Sequence, residues 1–402
     1  MDLVKEIMKN PLPRELAFTK AEYDERIAKA QARMKAEGID LLLISNTSNL
    51  GYLTGYDTTM PSGYTVGILQ ATGGVALHSS ELEATCGLLA GVIEEFESFR
   101  WYDAQDTAGH LGGVLRDRGL SRARIGLEMG YAETFASGAF DTKSYLRLKQ
   151  MLPEAEFVDA TLLVLEVRSI KTAKELDYMR EAGRISALGL EAARDAAAEG
   201  RMDNDLVAAA HHAMISAGSE LMSIDPMCMT GRRCGYMPHI PYRRTRLNKG
   251  DTIYLEFTGT FNRYNAPCMR SAVIGEPSDA VKRLSDAAIE TVETLLANIR
   301  PGRTGAEVAA IAQKVLDRVP EAFFHGGFGY SIGMGFQPSW CEAPLYISEA
   351  EQRELKPGMT FHLPICTWVP AQYGIGFSES VVVTENGCET LTPGSNRHLA
   401  VR

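Results

Sequence analysis

The distribution of apolar and polar positions divides the chain into two stretches of different character. In the first stretch, short apolar runs such as 39–44 and 124–128 alternate with segments of helical periodicity. A capping box formed by Thr19 and Glu22 predicts the start of one helix, which ends at Gly38. This alternation predicts a smaller α/β domain over residues 1–165.

The second stretch, residues 166–402, contains long helical patterns and strands that do not alternate regularly. Helical periodicity covers 173–198, 201–217, 279–299 and 305–318. Apolar runs typical of strands cover 252–257, 360–365 and 377–384. Long helices with strands in this order are typical of an α+β domain, so the chain as a whole predicts an α/β domain followed by an α+β domain.

Charge and cysteine content narrow the class of protein. The chain has 402 residues and a formal net charge of -10, whereas a nucleic-acid partner requires a basic face. The seven cysteines are scattered and include no Cys-x-x-Cys pair, which argues against a disulfide framework and a zinc–thiolate site. No apolar signal segment or membrane span is evident, so we expect a cytoplasmic protein with no membrane partner.

Glu256 is the most informative polar residue because it lies inside the apolar run Thr252–Phe257. A buried carboxylate needs a partner or becomes protonated, since an unpaired buried charge is costly. The pattern indicates a functional carboxylate, and a strand-end glutamate that faces solvent is the alternative. Glu379 begins a second apolar strand in the same way. Two such carboxylates on neighbouring strands predict a negative pocket for an amidinium, a guanidinium or a metal.

Other candidate residues lie in irregular segments. His239 is bracketed by two prolines and precedes the Glu256 strand, so it is a candidate proton shuttle, and an exposed surface histidine is the alternative. The glycine-dense turn 325–335 lacks the Gly-Lys-Ser/Thr ending of a phosphate loop, so we expect it to form a pocket wall. Trp340 and Glu342 follow and add an aromatic ring and a carboxylate to the same wall.

The order of these features resembles the "pita-bread" family of creatinase, aminopeptidase P, prolidase and methionine aminopeptidase. The features that carry the resemblance are a histidine, Gly250-Asp251 before a strand carboxylate, Tyr264 to Arg270, the glycine-rich turn, Leu355 to Met359, and Glu379 before Val-Val-Val-Thr-Glu-Asn-Gly. Residues 10–160 resemble the creatinase-type N-terminal domain of that family, and residues 170–402 resemble its catalytic domain. The resemblance therefore implies an α+β pita-bread catalytic domain after a smaller α/β domain.

The metallopeptidases of this family bind two metals through two aspartates, one histidine and two glutamates, and this chain departs from that set. The corresponding positions carry Glu256, Pro267, Tyr330, Pro364 or a neighbour of it, and Glu379. Proline has no ligand atom, and a phenol is a poor replacement for imidazole at neutral pH. We therefore expect no metal and no other cofactor.

The metal-free branch of the family, creatinase and the ectoine hydrolases, hydrolyses C–N bonds of guanidino or cyclic amidine compounds. The segments that resemble this branch are 225–227, Pro238-His239, Glu256, 263–267, 329–333 and 338–342, although Asn265 stands where a histidine is expected. The resemblance implies a metal-independent C–N hydrolase whose substrate is a small zwitterionic or cationic amidine or guanidine. A metallopeptidase acting on Xaa-Pro peptides and a catalytically inactive binding protein of the same fold are the alternatives.

The resemblance also implies roles for the candidate residues. Glu256 is then either the nucleophile or the electrostatic partner at the amidinium carbon. His239 moves the proton between water and the leaving nitrogen, and Glu379 holds the second N–H. The pocket is lined by Tyr330, Trp340 and Glu342.

Two tyrosines extend the predicted site to a second subunit. Residues 45–49 predict a loop after the first strand, and an aromatic, glycine-rich loop follows over 49–58. In creatinase-like proteins this loop of one subunit closes the pocket of the other. The resemblance therefore implies a homodimer in which Tyr56, together with Tyr52, contacts substrate in the partner's site, and an ordinary surface loop is the alternative.

Overall fold

A computed structural model describes residues 2–103, 105–130, 140–236, 239–392 and 396–402. The chain divides into two compact units, Met1–Arg168 and Ser169–Arg402, which are called unit 1 and unit 2 below. Met237 and Pro238, which belong to the predicted histidine segment, lie outside the described residues. Within the described part of the chain, no helix is both long and apolar enough to cross a membrane.

Unit 1 alternates helices and strands, as its apolar pattern predicts. Its helices are α1 (Leu3–Met8), α2 (Lys20–Glu37), α3 (Thr47–Thr54), α4 (Glu81–Ala90), α5 (Thr107–Asp117), α6 (Thr142–Met151) and α7 (Thr161–Arg168), with a short 3-10 helix at Trp101–Asp103. Its strands are β1 (Leu41–Ile44), β2 (Thr65–Gln70), β3 (Val75–Ser80), β4 (Glu95–Phe99), β5 (Arg124–Leu127) and β6 (Glu156–Asp159). These strands form one sheet in the order β4-β3-β2-β1-β5-β6.

The sheet of unit 1 is mixed. β2 is antiparallel to β1 and β3, whereas β4, β5 and β6 pair in parallel with their neighbours. All four residues of β1 are buried, as expected for a central strand covered on both faces. The predicted capping box of α2 is confirmed: Thr19 and Glu22 cap each other's backbone N–H groups, and Gly38 ends the helix at a φ of 66°.

The segment after β1 is a helix, so the predicted loops over 45–49 and 49–58 are wrong for most of their length. The side-chain oxygen of Asn46 accepts hydrogen bonds from the backbone N–H groups of Ser48 and Asn49 and thereby starts α3. Tyr52 lies on this helix and is 2% exposed, and Tyr56, just after it, is 1% exposed. A serine- and asparagine-rich segment was interpreted as a loop because these residues favour turns and helix N-caps alike.

Unit 2 contains longer helices and several small sheets. Its helices are α8 (Ala173–Ala196), α9 (Asp203–Ser216), α10 (Asp279–Asn298) and α11 (Gly305–Leu316), with a 3-10 helix at Gly231–Gly235. Its strands are β7 (Met227–Thr230), β8 (Thr252–Phe257), β9 (Thr260–Phe261), β10 (Tyr264–Asn265), β11 (Cys268–Val273), β12 (Gly329–Ile332), β13 (Cys341–Ile347), β14 (Thr360–His362), β15 (Ile365–Val369), β16 (Tyr373–Phe377), β17 (Ser380–Val383), β18 (Cys388–Thr390) and β19 (Ala400–Val401).

Two sheets of unit 2 carry the candidate site residues. The first has the order β19-β11-β8-β7, and apolar residues of α8 and α9 pack against it. The second has the order β13-β12-β14-β17-β18 and shares a core with α10 and α11. Strands β9 with β10 and β15 with β16 form antiparallel hairpins. Buried apolar cores of this kind position polar side chains firmly, because a packed interior leaves little room for rearrangement.

Strand registers place individual polar residues next to each other. Glu256, on β8, faces Met269 of β11 and Met227 of β7 across the ladders, so its nearest cross-strand neighbours are apolar. In the second sheet, Tyr330 of β12 is the cross-strand partner of His362 of β14. Opposite residues of antiparallel strands lie on the same face of the sheet, which brings this phenol and this imidazole together.

Candidate active site

Glu256 is a buried carboxyl group with one engaged oxygen. The residue is 4% exposed, and its Oε2 accepts a hydrogen bond of 2.5 Å from the hydroxyl of Tyr254. These residues are two positions apart on β8, so their side chains project from the same face of the strand. Burial raises the pKa of Glu256 to about 7, although the hydrogen bond from Tyr254 acts in the opposite direction. Glu256 therefore changes its charge near neutral pH.

His362 lies beside Glu256 in a chain of hydrogen bonds. Its Nδ1 is 4.0 Å from Oε1 of Glu256 and 2.8 Å from the hydroxyl of Tyr330. The hydroxyl of Tyr330 also accepts a hydrogen bond of 2.8 Å from the indole N–H of Trp340. On the other side of the ring, Nε2 is 2.7 Å from the hydroxyl oxygen of Ser378. Four polar side chains, those of His362, Tyr330, Trp340 and Ser378, are thus connected by hydrogen bonds beside Glu256.

His362 is neutral in this environment. The side chain is fully buried, and burial, together with the positive charge of Arg270, lowers its pKa to about 3. We call the residues that join in this arrangement the Glu256 cluster: Tyr254, Glu256, Tyr330, Trp340, His362 and Ser378. Tyr330 is partly exposed, whereas the other members are buried, so the cluster is most accessible at Tyr330.

The second carboxylate oxygen of Glu256 is open to a ligand. Among the described residues, no hydrogen bond to Oε1 is seen, and Nδ1 of His362 lies 4.0 Å from it. A carboxylate oxygen in a dry site binds a cationic N–H group strongly, because such hydrogen bonds are charge-assisted. The cluster can therefore bind an amidinium or guanidinium group through Oε1 and accept a proton there near neutral pH.

The cysteines close to Glu256 are protonated thiols. Burial, followed by the nearby charge of Glu256, raises the pKa of Cys341 to about 12 and also raises the pKa of Cys366 above its usual value. A thiol attacks carbon only as a thiolate, and a raised pKa disfavours that form. These residues therefore act as packing groups, with Cys366 buried and Cys341 partly exposed. The carboxyl group of Glu256 is the side chain of the cluster whose pKa lies near neutral pH.

Glu379 belongs to a separate ion-pair network. Its Oε1 accepts hydrogen bonds from Arg270, at 2.5 Å, and from Arg397, at 2.9 Å. Its Oε2 accepts one from the hydroxyl of Thr392. Arg270 is fully buried and Glu379 is 1% exposed. Glu256 and Glu379 each have their own partners among the described residues. Both oxygens of Glu379 are engaged in hydrogen bonds, and this does not match the role predicted for Glu379 as an acceptor for a substrate N–H.

Glu342 is also part of a buried ion pair. Its carboxylate accepts a hydrogen bond from the ammonium group of Lys171, and each of the two side chains is 1% exposed. A Cβ atom at Gly333 would lie 2.8 Å from Oε1 of Glu342, so the glycine of the predicted pocket wall makes space for this pair. Glu342, which was predicted to line the substrate pocket, is thus covered by Lys171 and by the backbone of Gly333.

His239 lies at the surface and is close to a second histidine. It is exposed, and none of the hydrogen bonds or ion pairs described for residues 239–392 joins it to Glu256. The pKa of His325 is lowered, first by burial and then by the charge of His239, which places the two rings in one neighbourhood. The structure therefore puts the predicted proton shuttle in contact with solvent and outside the hydrogen bonds of the Glu256 cluster.

The two tyrosines predicted to contact substrate lie in the core of unit 1. The guanidinium of Arg26 lies 4.4 Å from the centroid of the Tyr52 ring, and the hydroxyl of Tyr56 donates a hydrogen bond of 2.8 Å to Glu83. Burial raises the pKa of Tyr56 above its ordinary range. Both side chains are almost fully buried, which differs from the ordinary surface loop that was the alternative interpretation.

Asn265, which stands where a histidine is expected from the resemblance, has a structural role. Its Oδ1 accepts a hydrogen bond of 2.7 Å from Ser223 and one of 3.2 Å from Thr260. Its Nδ2 donates to the backbone oxygens of Arg263, at 2.9 Å, and Gly333, at 3.3 Å. The side chain is fully buried. Asn265 thus ties the β9–β10 hairpin to the glycine-rich turn, and its amide is already saturated.

Three members of the Glu256 cluster were not predicted from the sequence: Tyr254, His362 and Ser378. His362 is a single histidine in the apolar run 360–365, which is the same signal that identified Glu256. Tyr254 precedes Glu256 by two positions, and the two-residue period of a strand could have placed both on one face. Ser378 carried no such signal, since its contact with His362 depends on how distant strands pair.

Comparisons with known proteins agree with this fold. The model of metallopeptidase family M24 matches residues 177–385, and that of the creatinase/prolidase N-terminal domain matches residues 26–170. Ectoine hydrolase from Halomonas elongata is 30% identical over 395 residues, which cover 94% of this chain and 96% of that protein. A Xaa-Pro dipeptidase from Pyrococcus horikoshii is 23% identical over 372 residues, covering 92% of this chain and 97% of that protein.

Solved structures show the same fold. A prolidase from Thermococcus sibiricus superposes with a TM-score of 0.82 at 21% identity, covering 94% of this chain and 99% of that chain. The chain therefore belongs to metallopeptidase family M24 and carries a creatinase/prolidase N-terminal domain, which makes it a member of a family of hydrolases. The family and the two-domain fold predicted from the sequence are confirmed.

The residues of this chain do not fit the dinuclear metal site of the family's peptidases. Pro267 stands at one of the five corresponding positions, and Pro364 or a neighbour of it at another. The hydroxyl of Tyr330 is bonded to Trp340 and His362, and both oxygens of Glu379 are engaged. In the described ranges, no group of three or more histidine, cysteine, aspartate or glutamate side chains is arranged to hold a metal ion. Glu256 is the one corresponding position with an open carboxylate oxygen among the described residues.

Proposed function

We propose that this protein is a metal-independent hydrolase of a small cyclic amidine or guanidino compound, of the kind that the name ectoine hydrolase describes for its relative from Halomonas elongata. The observation that carries the proposal is the buried carboxyl group of Glu256, which has an open oxygen and a pKa of about 7. It occupies a position where the family's peptidases have a metal ligand, and the other ligand positions do not complete a metal site.

The environment of Glu256 favours a cationic substrate group. Its Oε1 lies beside neutral side chains, since His362 is uncharged and Tyr330 and Trp340 are hydrogen-bonded. An amidinium or guanidinium presents planar N–H groups that match a carboxylate. A cation bound at Oε1 also stabilises the ionised form of Glu256, which offsets the cost of burying that charge.

The overall reaction sets what the site must provide. The oxygen of water forms a C=O double bond to the amidine carbon. That carbon gives up its single bond to the leaving nitrogen and the π bond of its C=N group, the electrons move to the two nitrogens, and each nitrogen takes one proton of the water. Glu256 provides negative charge at the reacting carbon, either by attacking it or by pairing with the cation while water attacks. His239 remains the predicted proton shuttle, and its exposure allows it to exchange protons with solvent.

A Xaa-Pro dipeptidase is the second candidate function. The similarity to the dipeptidase from Pyrococcus horikoshii over 92% of this chain supports it. The known peptidases of this family depend on bound metal, and the engaged Glu379 and the two prolines provide no replacement ligands. The two candidates therefore differ in metal content as well as in substrate.

A substrate panel tests the proposal directly. The purified protein is incubated with ectoine, creatine, a hydantoin and Xaa-Pro dipeptides, each with and without a chelator, and products are measured by mass spectrometry. We expect hydrolysis of an amidine or guanidine that persists in chelator, with no stoichiometric transition metal by elemental analysis. Turnover of dipeptides that disappears on chelation would establish the second function instead.

A thermal-shift measurement on the same panel separates binding from turnover. A ligand that binds the folded protein raises the apparent melting temperature, and the rise grows with ligand concentration. The variant Glu256→Gln should lose the shift for cationic compounds because it lacks the carboxylate. A compound that stabilises the wild-type protein without being hydrolysed would identify an inactive binding protein.

A further inference from the structure

Arg194 is a buried arginine that pairs with no carboxylate among the described residues. It lies in the last turn of α8 and is 6% exposed. Four other arginines in the described part of the chain are similarly buried, and each has a carboxylate or an aromatic ring beside its guanidinium: Arg270 has Glu379, Arg26 and Arg168 have Tyr52, and Arg263 has Phe336. Arg194 therefore lacks the compensation that a buried cation usually has.

The hydrogen bonds of Arg194 leave part of its guanidinium unused. Nη2 lies 3.1 Å from Nε2 of His398 and donates to it, because a guanidinium has no acceptor. The Nε atom is buried, and no hydrogen bond from it is seen. Among the described residues, no partner of Nη1 is seen either. A buried N–H group without an acceptor costs free energy, so a ligand that supplies acceptor oxygens would be stabilised here.

His398 provides a second donor beside this guanidinium. Because Nε2 accepts a hydrogen bond from Arg194, the proton of the neutral imidazole is on Nδ1, which can donate to a ligand. His398 is exposed, so a molecule from solvent can reach its ring. A guanidinium and an N–H group held next to each other are suited to the oxygens of a carboxylate or a phosphate.

The surroundings of Arg194 are positively charged. Its pKa is lowered, first by burial and then by the charges of Arg402 and Arg270, and the opposing effects of Glu191 and Asp195 are smaller. Asp195 already forms an ion pair of 2.9 Å with Arg402. In a protein of formal net charge -10, this neighbourhood therefore concentrates positive charge that the described carboxylates do not balance.

The end of helix α8 compensates only a small part of this charge. Its last backbone carbonyl groups carry a partial negative charge, which favours a cation in the last turn. This effect is weak compared with the cost of removing a guanidinium from water. A neutral water molecule would supply an acceptor without a net charge, whereas an oxyanion supplies both, so an anion is the ligand that suits this site best.

We propose that Arg194 and His398 form a binding site for a small oxyanion, either a carboxylate or a phosphate, at the end of α8. The anion accepts hydrogen bonds from the guanidinium of Arg194 and from Nδ1 of His398, and it balances the charge of Arg194. It also links α8 to the segment 396–402, since His398 accepts from Arg194 and Arg402 donates to its backbone oxygen. The residues of this site do not belong to the Glu256 cluster, and the inference does not depend on the proposed function.

Thermal unfolding in defined salts tests whether such an anion binds. The melting temperature of the purified protein is measured in inorganic phosphate, in acetate and in sodium chloride at equal ionic strength. We expect phosphate, acetate or both to raise the melting temperature by roughly 2 °C or more above its value in chloride, with saturation. A rise in phosphate alone identifies a phosphate site, and a rise in acetate alone identifies a carboxylate site. Equal melting temperatures in all three salts would overturn the proposal.

A matched pair of substitutions assigns the effect to Arg194. Arg194→Met keeps an unbranched side chain but removes the charge, so the apparent affinity for the anion should fall by about tenfold or more. Arg184→Met, at an exposed position on the same helix, is the control and should keep the wild-type affinity. Phosphate also stabilises proteins by exclusion from their surface, an effect that both variants share with the wild-type protein. A wild-type response of Arg194→Met to the anion would contradict the proposed site.

A titration of His398 by NMR provides a readout that needs no substitution at Arg194. The signal of His398 is assigned by its absence in His398→Gln, and the wild-type protein is titrated in each salt. Partial burial and the positive charges of Arg194, Arg402 and Arg270 lower the pKa of His398. An anion bound between Arg194 and His398 favours the protonated imidazole, so we expect this pKa to rise in the stabilising salt relative to chloride. The same pKa of His398 in all salts would place any bound anion elsewhere and overturn the inference.

Discussion

Tyr254 donates its hydroxyl hydrogen to Oε2 of Glu256 at 2.5 Å, from a position two residues earlier on the same strand. The hydrogen bond stabilises the ionised carboxylate in a site where burial favours the protonated form. Because it engages Oε2, it leaves Oε1 as the oxygen available to the proposed substrate. Tyr254 thus controls both the charge and the direction of the carboxyl group.

The pH dependence of turnover should reveal this control. If ionised Glu256 is the active form, kcat/KM of the wild-type protein rises with pH and has its midpoint near the pKa of about 7. In Tyr254→Phe the carboxylate loses a donor, so we expect the midpoint to move up by about one pH unit. Tyr373→Phe is the control and should keep the wild-type midpoint. An unshifted midpoint in Tyr254→Phe would show that this hydrogen bond does not tune Glu256.

Glu256→Gln should abolish turnover and stabilise the fold at alkaline pH. Turnover should fall by roughly a thousandfold or more, as for other losses of a catalytic carboxylate. The pKa of Glu256 is raised from 4.5 in the unfolded chain to about 7 in the fold. The stability that this group contributes is therefore fully present below pH 4.5 and is lost as pH rises through 7.

The stability difference can be measured by urea unfolding at pH 5 and pH 8. Glutamine does not ionise, so the free energy of unfolding of Glu256→Gln should exceed that of the wild-type protein at pH 8, by on the order of 3 kcal/mol or less. The difference between the two free energies should shrink at pH 5. Glu293→Gln, at an exposed position on α10, is the matched control. Equal stabilities of the Glu256→Gln and wild-type proteins at both pH values would argue against a raised pKa at Glu256.

Glu379→Gln should destabilise the protein. This substitution leaves the guanidinium of fully buried Arg270 without its carboxylate partner and removes the charge that pairs with Arg397. Breaking a buried ion pair from one side typically costs about 3–5 kcal/mol. We expect a lower urea midpoint at pH 8, opposite in sign to the effect of Glu256→Gln. If Glu379→Gln instead keeps wild-type stability and loses turnover, the result would support the catalytic role that the sequence predicts for Glu379.

His239→Ala tests the predicted proton shuttle. Because His239 is exposed, its removal should leave the melting temperature within about one degree of wild type, as is usual for surface substitutions. A proton shuttle contributes about a hundredfold or more to turnover, and small imidazole-like bases added to the buffer should restore part of the lost rate. His325→Ala is the matched control, since it removes the neighbouring histidine. Unchanged turnover in His239→Ala would identify His239 as an ordinary surface residue.

Tyr56→Phe tests the predicted composite site in the homodimer. The hydroxyl of Tyr56 is bonded to Glu83, so its loss should lower the stability of unit 1 by about 1 kcal/mol and leave turnover near wild type. If Tyr56 of one protomer instead contacts substrate in its partner, turnover should fall strongly. Mixed dimers of Tyr56→Ala and Glu256→Gln chains should then recover activity. Sedimentation velocity on the wild-type protein determines whether the dimer exists.

Local sequence patterns predicted the helices and many of the strands well. The helix predicted over 173–198 is Ala173–Ala196, and the one predicted over 279–299 is Asp279–Asn298. The strand Thr252–Phe257 has the predicted bounds. These elements are encoded locally, because caps, helical periodicity and continuous apolar runs all act over a few neighbouring residues.

Strand boundaries next to proline were less predictable. The run 360–365 was predicted as one strand, but the structure has β14 ending at His362 and β15 beginning at Ile365. Pro364 lies in this break and has no N–H to donate to a neighbouring strand. The run 377–384 is likewise divided between the end of β16 and β17, with Ser378 and Glu379 between them.

The contacts of the candidate site depended on pairings that the sequence does not encode locally. Glu256 and Tyr330 were singled out from their surroundings in the sequence, and the structure places both in one cluster. His362 joins them because β12 and β14 pair in a register that brings Tyr330 opposite His362, thirty-two positions later in the chain. The partners of Glu379 and Glu342 are also distant in sequence, so a carboxylate that binds arginine or lysine could not be told from one that binds substrate.

The ion pair between Lys171 and Glu342 sets a practical limit on dissecting the chain. A shortened protein that keeps only residues 177–385, the span matched by the family M24 model, would lack Lys171 and leave the buried Glu342 without its cation. It would also lack Arg397, which pairs with Glu379. An excised catalytic unit therefore has to begin upstream of Lys171 and extend past Arg397 if it is to crystallise or to serve as a scaffold for engineering.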